Sequence, residues 1–214
     1  MLEQATRVVL IRHGETAWNR ATRIQGHTDI PLSSLGLAQA ERLAEALADE
    51  ALAAIYSSDL SRARQTAEAL GRAQGLAIHL DAGLRERAFG RFEGMSWEEI
   101  DQGYPEDAAR WRKRKPDFPV GGGESLNVFS ARCLAAARRA AAAHPGQSIA
   151  LVAHGGVLDC LYRAATQVAL DAPRSWQLGN ATINRLLATP EGFTLVGWND
   201  DRHLAGLSAD DIAA

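Results

Sequence analysis

Apolar positions along this 214-residue chain fall into two patterns, short continuous runs and longer segments with helical spacing. Val8 to Ile11 and Ile149 to Val152 are continuous apolar runs, as expected of strands buried on both faces of a parallel sheet. Ala53 to Tyr56 predicts a third strand, and Ala77 to Leu80 a short fourth. Leu37, Ala40, Leu43, Ala44 and Leu47 recur at helix spacing behind Ser33-Ser34-Leu35-Gly36. Two further helices are predicted. One covers Ser61 to Gln74; the other runs from Ser125 to Ala143, with Leu126, Phe129, Cys133, Ala136, Ala137 and Ala140 on one stripe and His144-Pro145-Gly146 as its stop.

This alternation of strand and helix argues for a layered α/β domain with a mostly parallel sheet. Residues 89–123 break the pattern. They carry Trp97, Tyr104, Trp111, Pro105, Pro116, Pro119 and the basic run Arg110 to Lys115, and they read as a small cap or lid inserted on the main sheet. With no repeat, low-complexity linker or composition break, residues 1–214 read as one domain. The polar, alanine-rich tail after Asp200 has no assigned role.

Composition changes the picture mainly by exclusion. The chain is 46% hydrophobic, with 23 Lys+Arg against 26 Asp+Glu and a formal net charge of −3. That balance gives no electrostatic case for nucleic-acid or membrane-surface binding, which rests on a basic excess. Cys133 and Cys160 stand apart, flanked by aliphatic residues, and indicate a reducing compartment. The first apolar stretch is interrupted by Arg7 and is far shorter than the roughly 20 residues of a membrane span. The expectation is a cytoplasmic protein.

Ligands of open α/β sheets bind beyond the carboxyl ends of the strands, so the residues after the apolar runs carry the chemistry. The two runs match there: Arg12-His13-Gly14 follows the first and His154-Gly155-Gly156 the second. A single histidine at a strand end is more often a hydrogen-bonded structural residue; two His-Gly turns at equivalent ends point to a shared pocket. The six histidines show no HxH or HExxH spacing, and Arg12 beside His13 would repel a cation. Arginine forks and glycine-turn amides favour an anion such as phosphate. Arg62, in the first turn of the helix after Ser57-Ser58, supplies a second guanidinium, whereas Arg64 reads as a surface residue. Glu86 follows the short fourth strand and offers the proton donor that a phosphate ester's leaving oxygen requires.

At this point the sequence resembles the histidine phosphatase superfamily, the phosphoglycerate mutase-like enzymes. The resemblance is carried by Leu10-Ile11-Arg12-His13-Gly14-Glu15-Thr16-Ala17-Trp18-Asn19, Gln25-Gly26-His27-Thr28-Asp29, Ser57-Ser58-Asp59-Leu60-Ser61-Arg62, Leu84-Arg85-Glu86, Gly122-Gly123-Glu124-Ser125 and Val152-Ala153-His154-Gly155-Gly156. It implies a three-layer α/β/α fold and a phosphohistidine mechanism without metal or cofactor. His13 would be the nucleophile, Glu86 the acid and base, and Arg12, Arg62 and a charged His154 the clasp on the phosphate. Asn19, Gln25, Gly26 and Gly155 would border the phosphate.

Departures from the family's mutases select a branch. Phe89 stands where the mutases have a tyrosine, and Gly156 where they have asparagine. The expectation is a phosphatase acting on small phosphorylated metabolites, with a bisphosphoglycerate-dependent mutase as the alternative and a non-catalytic phospho-ligand module as a third reading. Members are often homodimers. The basic run Arg110–Lys115 could clasp a second anionic group or be a solvated helix face. Sugar phosphates, phosphoglycerates, phosphoserine, ribazole phosphate and nucleotides all remain open as substrates.

Overall fold

The computed structural model describes residues 4–208. Its six-stranded sheet comprises β1 (Thr6–Arg12), β2 (Leu52–Ser57), β3 (Ile78–Leu80), β4 (Ser148–Ala153), β5 (Ile183–Thr189) and β6 (Gly192–Asp200), in the order β3-β2-β4-β1-β5-β6. β3, β2, β4 and β1 are parallel, and β5 and β6 add as an antiparallel hairpin beyond β1. The helices are α1 (Ala17–Arg20), α2 (Ser34–Ala46), α3 (Ser61–Gln74), α4 (Trp97–Gly103), α5 (Pro105–Arg112), α6 (Leu126–Ala142) and α7 (Gly155–Thr166).

Side chains alternate across a strand, and β1 shows how that produces three layers. Val8 and Leu10 join Ile149 and Leu151 of β4 under α6 and α7, where Phe129, Cys133, Val157 and Leu161 complete one core. Val9 and Ile11 join Ala150 and Val152 on the other face, against Leu43 of α2 and Ala63, Ala67 and Leu70 of α3. Every residue of β4 is buried, which accounts for its unbroken apolar run.

The four strands expected from apolar runs are present, and α3 has the bounds read from its spacing. The sheet extends further than those runs indicated. β5 and β6 lie in residues 167–200, for which no element was anticipated; β5 pairs with both β1 and β6, and from Asn184 onward it alternates buried and half-buried positions. Residues 90–122 form α4, α5 and short 3₁₀ turns around a small core of their own, Phe92, Ile100, Ala108 and Val120. The tail lies only partly within the described residues: a short 3₁₀ turn spans Arg202–Leu204, and positions 209–214 lie outside them. No helix among the described residues is long and apolar enough to cross a membrane.

Candidate active site

Parallel β1 and β4 are in register, Arg12 opposite Ala153, so both chains leave the sheet side by side. His13 N–H still donates to the Ala153 carbonyl at 3.0 Å, and the His13 and His154 rings end 5.1 Å apart, centroid to centroid. Both are buried, His13 at 3% exposure and His154 at 0%.

The two imidazoles are held differently. His13 Nδ1 lies 2.7 Å from the Gly14 carbonyl, which can only accept, so Nδ1 carries the proton and the neutral ring leaves its lone pair on Nε2. Asn180 Nδ2 donates to the His13 carbonyl and Thr66 Oγ1 accepts from Gly14 N–H, fixing the turn from behind. His154 Nδ1 accepts from Arg62 Nε at 3.2 Å, which places a neutral ring's proton on Nε2, 2.9 Å from Ser58 Oγ. Burial, reinforced by Arg62 and Arg12, pushes the His13 pKa well below its ordinary value. Burial does the same to His154, assisted by Arg62, His13 and Arg12. Burial and the Arg62 hydrogen bond thus both disfavour the charged ring expected for His154, whose Nδ1 holds Arg62 in place.

Arg62 is fully buried, its Nη1 and Nη2 donating to the Thr28 and Gly26 carbonyls at 3.0 and 2.7 Å. Three of its five N–H groups are thus committed, and two remain for a ligand. Arg12 has one guanidinium nitrogen on the Leu178 carbonyl, while its buried Nε has no hydrogen-bond partner among the described residues. Burial lowers the Arg12 pKa to about 10, with Glu86 opposing the shift and Arg174 and Arg62 adding to it.

Glu86 sits beyond a 3₁₀ turn, Ala82–Leu84, rather than at the end of β3. Its Oε1 accepts from Arg87 N–H at 2.8 Å and its Oε2 from Gly156 N–H at 3.0 Å, in the first turn of α7. Gly156 keeps this space open: an ideal Cβ there would lie 2.1 Å from Glu86 Oε1 and 2.9 Å from the Phe129 ring, so one of those side-chain ends would have to shift. Gly156→Ala is accordingly expected to displace the carboxylate and lower turnover of alkyl phosphates by about 100-fold, with an unchanged circular-dichroism spectrum.

Asn19 Oδ1 accepts from Thr16 N–H and completes the capping box of α1, and its Nδ2 has no hydrogen-bond partner among the described residues; Gln25 Oε1 lies 3.0 Å from Thr16 Oγ1. Gly26 adopts φ +57°, and a side chain there would strike Glu93, whose carboxylate gathers the His27, Thr28 and Phe89 amides. Gly155 opens α7 beside Arg12, with its ideal Cβ position 3.5 Å from Arg12 Nε. Arg12, His13, Asn19, Gln25, Gly26, Arg62 and Glu86 line one cavity of about 190 Å³, and Gly155 lines an adjoining one of about 570 Å³ that shares Arg12, Glu86 and Phe89. His154 lines neither and lies behind Arg62.

Several site residues escaped the sequence reading. Ser58 and Asn180 act through hydrogen bonds that no local pattern announces. Arg87, Asp159, Arg174 and Trp176 line the larger cavity. Of the basic side chains in the run Arg110–Lys115, Arg114 alone lines it, beside Trp111; Arg112 pairs with Asp101, and Arg110 lies over the Phe118 ring. Arg64 makes an exposed pair with Glu68, as expected. Among the described residues no group of three or more His, Cys, Asp or Glu is placed to hold a metal ion.

The histidine stability contributions have a definite sign. An unfolded chain protonates these histidines near pH 6.5, while the folded chain resists until well below it, so the unfolded state binds more protons in that window. Stability is thus constant above about pH 6.5 and falls on acidification, by up to about 1.4 kcal/mol per pH unit for each buried histidine. Urea midpoints between pH 7.5 and 5.5 should show this slope, and His154→Gln should reduce it.

The site joins a buried histidine pair at parallel strand ends with two guanidiniums and a carboxylate in an α/β protein. The family model of the histidine phosphatase superfamily (branch 1) matches residues 8–201, and the chain belongs to that family. It is 37% identical over 201 residues to phosphoglycerate mutase-like protein 4 of Arabidopsis thaliana, covering 92% of this chain and 86% of that one. It is 35% identical over 207 residues to the metal-independent phosphoserine phosphatase of the same plant, covering 95% and 85%. Among solved structures, mycobacterial glucosyl-3-phosphoglycerate phosphatase superposes with a TM-score of 0.83 at 33% identity, over 92% of this chain and all of that one.

Proposed function

We propose that this chain is a metal-independent phosphatase that hydrolyses small phosphomonoesters through a phosphohistidine formed on His13. The observation that carries the reading is the 2.7 Å contact from His13 Nδ1–H to the Gly14 carbonyl, which leaves Nε2 as a lone-pair nucleophile in a ring that burial keeps neutral. Nε2 attacks phosphorus, the ester P–O bond breaks, and Glu86 delivers a proton to the departing oxygen. Water then attacks the phosphohistidine, giving its proton to Glu86; the P–N bond breaks and inorganic phosphate leaves with neutral His13 restored.

Arg12 Nε and the two uncommitted Arg62 N–H groups are the donors for the non-bridging oxygens, where charge is spread in the transition state. Asn19 Nδ2, Gln25, the Gly26 turn and the Gly155 amide at the α7 N-terminus complete the cradle. These cations are side chains of the protein, in keeping with the metal-independent phosphoserine phosphatase among its relatives.

Phe89 and Gly156, which stand where the family's mutases have tyrosine and asparagine, favour the phosphatase over the mutase. With 3-phosphoglycerate as substrate, phosphate release is expected regardless of added 2,3-bisphosphoglycerate. Interconversion to 2-phosphoglycerate stimulated by the bisphosphate would establish the mutase instead.

A further inference from the structure

The segment that carries Glu86 has little regular structure of its own. Residues 86–89 belong to no helix or strand, and they follow the 3₁₀ turn Ala82–Leu84, an element that leaves its last carbonyls without partners inside it. Side chains must then hold such backbone. Arg132 of α6 does so. Its Nη1 donates to the Gly83 and Arg85 carbonyls at 3.0 and 3.1 Å, with the Ala82 carbonyl at 3.4 Å beside them, and its Nη2 donates to the Glu86 carbonyl at 3.2 Å. Nε and Nη2 also form a bidentate pair with Glu124, at 2.9 and 2.7 Å. All five N–H groups are thereby committed inside the protein, so Arg132, unlike Arg12 and Arg62, keeps none for a ligand.

Glu124 completes a clamp. Its Oε2 also accepts from Ala88 N–H at 2.9 Å, so the Arg132–Glu124 pair grips the chain on both sides of Glu86. The Arg132 guanidinium lies over the Phe129 ring, 5.2 Å from its centroid, and that ring borders Gly156, whose N–H donates to Glu86 Oε2. Glu86 is thus held at two ends. Arg132 and His27 Nε2, the latter at 2.8 Å, fix its carbonyl, while the Arg87 and Gly156 amides fix its carboxylate.

We infer that Arg132, clamped by Glu124, is a positioning residue that sets where the Glu86 carboxylate delivers its proton. Without the guanidinium, the carboxylate would move with the irregular segment that carries it, and a displacement of about 1 Å in a reacting group can cost about 10²-fold in rate. Lysine is no substitute. Its single ammonium cannot reach three carbonyls and both oxygens of Glu124 at once, because that arrangement needs the planar fork.

This role rests on the phosphatase reading, and the experiment separates the two. For a phosphatase of this kind kcat/KM covers the steps up to departure of the leaving group, which a general acid assists strongly for an alkyl ester and scarcely for an aryl one. Arg132→Lys is expected to lower kcat/KM by about 30-fold for glycerol 3-phosphate and by less than about threefold for p-nitrophenyl phosphate, so that their ratio falls by about tenfold. Glu124→Gln, which takes the anionic partner from Arg132, should move the ratio the same way, and it decides the matter if Arg132→Lys does not fold. Equal losses on both esters, or no loss on either, would mean that Arg132 only supports the fold and would overturn the inference. The Gly156 amide gives a reading independent of turnover, because its hydrogen bond ends on Glu86 Oε2. Its hydrogen exchange should quicken by about tenfold in the variants while the Ala150 and Leu151 amides of β4 keep their wild-type rates. Unchanged exchange at Gly156 would overturn the inference as well. If the wild type releases no phosphate from glycerol 3-phosphate, this exchange decides alone; if it releases none from any ester, p-nitrophenyl phosphate included, the phosphatase reading fails by itself.

Discussion

His13→Ala is expected to lower phosphate release from every phosphomonoester by at least about 10⁴-fold, because it removes the atom that bonds to phosphorus. The loss should be independent of leaving group, since no acid can substitute for an absent nucleophile. Ligand binding should survive: Arg12, Arg62 and the Gly155 amide are held by the Leu178, Gly26 and Thr28 carbonyls and by the start of α7, not by the His13 ring. Steady-state kinetics on p-nitrophenyl phosphate and an alkyl phosphate, with calorimetric phosphate binding as the folding control, would check this. A residual rate within 100-fold of wild type would mean that water attacks the ester directly and that His13 merely lines the pocket.

Glu86→Gln should instead discriminate between leaving groups. An alkyl oxygen must be protonated as it departs, so turnover of an alkyl phosphate should fall by about 10²–10³-fold. Nitrophenolate leaves without help, and its ester should lose less than about tenfold in the phosphorylation step. Two backbone donors, the Arg87 and Gly156 amides, face the two carboxylate oxygens. A glutamine must therefore turn its NH₂ toward one of them, and a small additional loss common to both substrates is expected. Equal large losses on both substrates would show that Glu86 positions the loop rather than moving a proton.

The parts of this site visible in the sequence are those that follow strongly patterned strands. The apolar runs of β1 and β4 located His13 and His154 at equivalent exits because a strand buried on both faces reads as an unbroken apolar stretch with a definite end, and Arg62 followed from the start of α3. Other parts depend on contacts between remote segments. The tautomers are examples: His154 Nδ1 accepts from Arg62, 92 positions away, and burial together with that contact disfavours the charged ring. Glu86 reaches the Gly156 amide only because the 3₁₀ turn after β3 folds back under α6, where Leu84 is buried. Asp159 and Arg163 were spaced as an i,i+4 helix pair, but nothing local says that this pair is buried at a cavity wall. Arg174 and Trp176 lie in the irregular approach to β5, which lacks the periodicity that reveals a strand or helix. The run Arg110–Lys115 shows the converse: a conspicuous basic pattern of which Arg114 is the one basic side chain that lines the cavity.

The covalent intermediate is the centre of the account, and it is open to direct trapping. Wild type and Glu86→Gln are mixed for milliseconds with a ³²P-labelled aryl phosphate, quenched in denaturant, and divided between acid and alkali. The account predicts labelled protein that is stable in alkali and lost in acid, greater accumulation in Glu86→Gln because the attacking water lacks its base, and no label in His13→Ala. Turnover of the same ester with no protein-bound label in either active protein, or a label that survives acid or persists in His13→Ala, would contradict it.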